Sequence, residues 1–132
     1  MIFGAHNFNV KIEWEKLQSL ALAEIETTLA ELPKPLREQA WKLPVIFERA
    51  PNTELQVDGI EVDTLGLFVG AEFADEGQSL LPPQIILFLE NIWGFAADDK
   101  KVFCDEVRTT FLHELGHFLG LDEDDLIDRD LE

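Results

Sequence analysis

Two histidines four residues apart, His113 and His117, sit in a segment whose apolar residues recur at helical spacing, with Glu114 directly after the first. On a helix wheel Cys104, Val107, Phe111, Leu115, Phe118 and Leu119 share one broad sector opposite the histidines. Glu106, Thr109, Thr110 and Gly116 fall on or beside the histidine side. A helix with an apolar back and a polar front must bury the back against other elements, so the rest of the chain has to supply a core for it. Asp98 or Asp99 is suited to begin this helix, which the spacing carries to about Leu119, and Gly120 suits its stop.

The front of that helix carries chemistry. Residues at i and i+4 stand about 40° apart around the axis, so both imidazoles can reach one tetrahedral metal ion. Glu114 does not share their bond directions, yet it can reach a water held on the metal and accept its proton. With three His and 16 Glu in 132 residues, drawing residues at random at this composition would give HExxH in roughly one such chain in 120. A catalytic zinc site needs a third protein ligand and an open fourth position. Gly120 can turn the chain after His117, and Glu123 then stands where the pattern HExxHxxGxx(H/D/E) puts that ligand. Asp122 and Asp124 flank it and remain alternatives, and these acids could instead solvate or cap a short last helix. Two imidazoles, a carboxylate and a water suit zinc, although manganese or nickel could enter the same donor set.

Upstream, prolines punctuate the chain. Asn9 could cap a helix running to about Leu32, with Ile12, Leu17, Leu20, Ala21, Ile25, Thr28 and Leu29 on its apolar side and Pro33 as its stop. Pro35 fits the first turn of a second helix through Lys42, and Val45 to Phe47 read as a strand after Pro44. Ala50 to Gly59 reads as a loop, Leu65 to Val69 as a strand framed by glycines, and Gln84 to Glu90 as a third strand buried on both faces. Asn91 to Ala97 reads as a connection, and Asp122 with Asp125 could start a last helix. Helices first, strands in the middle and a long helix last do not alternate as a doubly wound sheet would. The expected class is α+β, a small twisted mixed sheet against helices.

Composition then excludes several functions. A chain of 132 residues, 46% hydrophobic, is expected to form one domain over 1–132. Its net charge of −17 would repel phosphate backbones and anionic headgroups, so nucleic-acid and membrane partners are excluded. The single cysteine, Cys104, allows no internal disulfide and fits a reducing compartment. Met1 to Lys16 lacks a signal-peptide pattern, and Ile85 to Leu89, the longest apolar run, is too short to span a bilayer. A cytoplasmic monomer is expected.

Over residues 29–128 the sequence resembles the small single-domain bacterial zincin-like metallopeptidases. The resemblance rests on Leu32-Pro33, on Pro44 to Pro51, on Leu65-Gly66-Leu67-Phe68-Val69-Gly70 and on Leu81-Pro82 into Gln84-Ile85-Ile86-Leu87-Phe88. Above all it rests on Glu106-Val107 and on His113-Glu114-Leu115-Gly116-His117-Phe118-Leu119-Gly120-Leu121-Asp122-Glu123. It implies a minimal zincin fold, a Zn2+ cofactor on His113, His117 and an acidic ligand matching Glu123, and Glu114 as catalytic base in peptide-bond hydrolysis. It also implies a peptide or protein substrate held as an added strand at a sheet edge, for which Gln84 to Glu90 is the candidate. Members often carry Asp and Tyr where this chain has Glu123 and Phe68. The rival is a zincin-like domain that keeps metal or peptide without cutting, and a metal-free interaction module is a third. Two features favour the non-catalytic rival, the small size of the chain and the lack of a tyrosine to steady an oxyanion, for which the remaining candidates, His6, Arg49 and Arg108, have more ordinary roles available. Trp14, Trp41 and Trp93 are assigned to packing, and Cys104 to the buried back of the helix.

Overall fold

The computed structural model describes residues 12–70 and 82–120. Helix α1 spans Trp14–Glu31 and buries Leu17, Ala21, Ile25, Thr28 and Leu29, the stripe expected from the sequence. The proposed cap Asn9 lies outside the described residues, and Glu13 occupies the cap position. Pro33 ends α1, and Pro35 sits in the first turn of α2, Lys34–Trp41, where a missing N–H costs nothing.

Strand β1, Val45–Glu48, runs parallel to β3, Gln84–Phe88, with Val45 opposite Ile85. Strand β2, Gly66–Val69, runs antiparallel to β3 with Phe68 opposite Ile85. The order is therefore β1-β3-β2, a mixed sheet with β3 in the centre. Together with the helices this is the expected α+β class. The central position corrects the expectation that Gln84 to Glu90 is a docking edge, since both of its ladders are already paired. Its continuous apolar run is the physical reason: Ile85, Leu87 and Phe88 are fully buried, as a middle strand demands.

Two short helices were hidden from sequence reading. Within the expected loop, Asn52 accepts from the Leu55 N–H at 2.9 Å and starts α3, Thr53–Val57. The expected strand stops at Phe88, and α4, Leu89–Phe95, replaces the expected connection, burying Leu89 and Ile92 three residues apart. Ala97 and Asp98, both at positive φ, then turn the chain into α5, Lys100–Phe118. The Asp99 carboxylate accepts from the Val102 N–H at 3.0 Å, a cap worth about 1 kcal/mol.

Helix α5 packs chiefly on α1, β2, α4 and β3. Phe103, Val107, Phe111, Leu112, Leu115 and Phe118 fill the space between them. The site-bearing helix is thus anchored along its whole back, and its front opens beside β2.

Candidate metal centre

The His113 and His117 rings meet edge to face, their centroids 4.8 Å apart, on the front of α5. Their Nε2 atoms are 3.2 Å apart. A tetrahedral zinc with bonds of about 2.0–2.1 Å would hold two nitrogens about 3.3 Å apart, so the pair already has the spacing of a chelate. The imidazoles lie within 4.8 Å of the Glu114 carboxylate, and these three form the cluster of metal-binding type among the described residues. Leu115, fully buried between the two histidines in sequence, keys the helix into the core and fixes the direction in which both rings leave it.

Glu114 is held against β2. In the antiparallel ladder the Phe88 N–H donates to the Leu65 carbonyl at 2.9 Å, so alternate residues of β2 bond inward and Gly66 and Phe68 turn their backbone groups to the outer edge. The Phe68 N–H there hydrogen-bonds the Glu114 carboxylate. Burial pushes the Glu114 carboxyl above the ordinary glutamate range, while His117, His113 and the Phe68 amide pull it back. A carboxylate whose pKa is raised, beside two imidazoles and a strand edge, holds a proton more readily than an ordinary glutamate.

Close approach of β2 to α5 depends on Gly66. A Cβ there would lie 2.5 Å from Thr110 Cγ2 and 3.4 Å from Glu114 Cγ. Thr110 was expected on the polar front, and it is buried because β2 lies over it. The glycine framing the strand was visible in sequence, but its use as the contact point was not. Phe68, noted there only as a departure from Tyr, supplies the amide to Glu114 and packs its ring 5.8 Å from Phe118. Around this contact the surface dips twice. One cavity of about 290 Å³ lies toward Leu65 and Glu106, and one of about 420 Å³ lies toward Gly70 and His117, with Glu114 lining both.

Gly120 takes φ +73 and turns the chain directly after α5, as expected. Glu123, Asp122 and Asp124 lie beyond it, outside the described residues. Neither described arginine candidate faces the site: Arg49 pairs with Glu90 and stacks on Trp14, and Arg108 bridges to Glu31 at 2.7 Å and Thr28 at 3.3 Å. His6 lies outside the described residues. Cys104 is half-buried rather than fully buried, and desolvation, then Glu24 and Asp105, push its thiol up, which lowers its thiolate fraction.

With this geometry in place, the comparison with known families is decisive about kinship. The zincin-like metallopeptidase family matches residues 41–132, and the chain belongs to that family. A search of curated proteins finds no match. No helix among the described residues is long and apolar enough to cross a membrane.

Proposed function

We propose that this chain is a zinc-dependent metallopeptidase that cuts peptide bonds with Glu114 as its base. The observation that carries the reading is the chelate spacing of His113 and His117 with Glu114 beside them. His113 and His117 would hold the metal through Nε2, and the turn at Gly120 leads to Glu123, the preferred third ligand. Zinc bound there supplies Lewis acidity, polarising the scissile carbonyl and acidifying a neighbouring water.

Glu114 accepts the proton at its carboxylate and returns it to the leaving amine, a shuttle that its raised pKa favours. The strand that orients substrate is β2 rather than β3. Among the described residues no strand pairs with the outer edge of β2, where the backbone groups of Gly66 and the carbonyl of Phe68 point beside the metal helix and an extended peptide can add as a further strand. A lone Cys104 fits a reducing compartment, where cytoplasmic peptides would be the substrates.

One observation favours the rival, a domain that holds metal or peptide without cutting. Arg49 and Arg108, the described candidates to steady an oxyanion, are both engaged elsewhere. The test is hydrolysis of a broad peptide library by zinc-loaded protein and by Glu114→Gln. An enzyme gives cleavage that drops about 10²- to 10⁴-fold in the variant. Absence of cleavage with a full equivalent of bound zinc supports the rival.

A further inference from the structure

The cavity between the start of β2 and the N-terminal half of α5 is continuous with the metal site, because His113 and Glu114 line it. At its other end stands Glu106, on the same helical face and two turns before His113. Seven residues of α-helix rise about 10.5 Å, so Glu106 is too far along the axis to ligate an ion held by His113 and His117. It is also absent from the cluster of metal-binding type.

Among the described residues its surroundings leave it a charge without a counter-charge. Glu106 is half-buried and accepts a hydrogen bond from Thr110 Oγ1 at 3.2 Å, which holds Oε2 against the cavity wall. Among the described residues it has no ion-pair partner. The neighbouring cations are committed elsewhere, Lys101 to Asp105 and Arg108 to Glu31. A carboxylate fixed at the end of an open cavity, beside a strand edge that a peptide can extend, is complementary to one kind of side chain: long enough to cross from the edge and positively charged at its tip.

We propose that Glu106 is a specificity-determining residue, selecting lysine or arginine at a peptide position flanking the cut bond. The cavity takes the aliphatic stem against Leu65 and Gly66, and Glu106 receives the cationic head. A neutral side chain in the same place leaves the carboxylate unpaired, and an acidic one meets like charge. The inference rests on the peptidase reading for its substrate, and binding tests it separately from cleavage.

The experiment uses decapeptides randomised except for one position, which carries lysine, arginine, norleucine or glutamate. Retention on zinc-loaded Glu114→Gln protein and cleavage by the unaltered chain are both read. A charge-assisted hydrogen bond in a partly enclosed site predicts about tenfold preference for lysine or arginine over norleucine, with glutamate last. In Glu106→Gln the ratio falls to about one, and in Glu106→Lys it turns in favour of glutamate. Asp105→Asn removes one charge from the neighbouring position, outside the cavity, and keeps the tenfold ratio. Because each ratio is internal to one protein, a loss of folded material cancels from it. Equal preference in the unaltered chain, or a basic preference that survives Glu106→Gln, overturns the assignment. Basic-selective retention without any cleavage overturns the peptidase reading and leaves Glu106 as selector. Cleavage without basic preference does the reverse.

Discussion

The carboxylate of Glu114 is where sequence and structure contribute most differently. Its place in HExxH makes it the candidate base, but its burial and the Phe68 amide come from β2, which is 46 residues away in the chain when counted from Phe68. Because its folded pKa lies above the unfolded value, the folded state binds the proton more tightly. That contribution to stability is complete below the ordinary glutamate range and is lost as pH rises through the raised folded value. Glu114→Gln keeps the shape and the acceptor for Phe68 while removing the buried charge. In chelator-treated protein the variant is therefore expected to melt higher than the unaltered chain at neutral pH, with the gap closing as pH falls below the ordinary glutamate range. Thermal melts from pH 3 to 8 measure it, and a gap that persists unchanged at acid pH would show that charge burial is not the cause. His113 and His117 needed no such context. Their pairing follows from helical spacing alone, since any helix brings i and i+4 to one side.

Among the elements, α5 was legible almost to the residue, because a periodic apolar stripe, an Asp cap and a stopping glycine agree over 19 positions. α3 and α4 were not: five and seven residues are too few for a period to separate from a loop or from a strand's continuation. The contact between α5 and β2 hinges on Gly66, and it yields a prediction at this scale. Gly66→Ala drives a methyl to 2.5 Å from Thr110 Cγ2 and presses on Leu87, so β2 must move off the helix. A loss of about 1 to 3 kcal/mol is expected from such overpacking, with reduced cleavage because Glu114 loses its strand. Gly94→Ala in α4 is the counter-case. Its added methyl meets nothing within 4 Å, and a helical alanine gains about 0.5–1 kcal/mol over glycine. Urea midpoints of the two variants should move in opposite directions; a shift of the same sign in both would mean that the Gly66 contact is not tight in solution.

For the molecule as a whole, a charge of −17 attracts any cation, so coordination has to be separated from a general field. Glu123→Ala, if it removes a ligand, should weaken zinc by more than the roughly 10- to 100-fold typical of losing a supporting contact, and salt should not hide the loss. Asp122→Asn and Asp124→Asn remove the same single charge and should cost little, with the cost fading as salt screens it. Zinc titrations at low and high salt decide this, and equal losses in all three variants that vanish together at high salt would place the third ligand elsewhere. The sequence by itself determined the local features: the histidine pair with Glu114 beside it, the cap and stop of α5, the stripe of α1 and the class of elements. Each is a matter of neighbours along the chain, where helix geometry or a proline ring acts within a few residues. Only the tertiary structure decided that β3 is central and β2 at the edge among the described strands, that Phe68 faces Glu114, that Gly66 meets Thr110, and that Glu106 closes a cavity opening on the candidate metal site. Strand order and close contact depend on which surfaces bury against each other across dozens of residues, and local patterning carries no record of that choice.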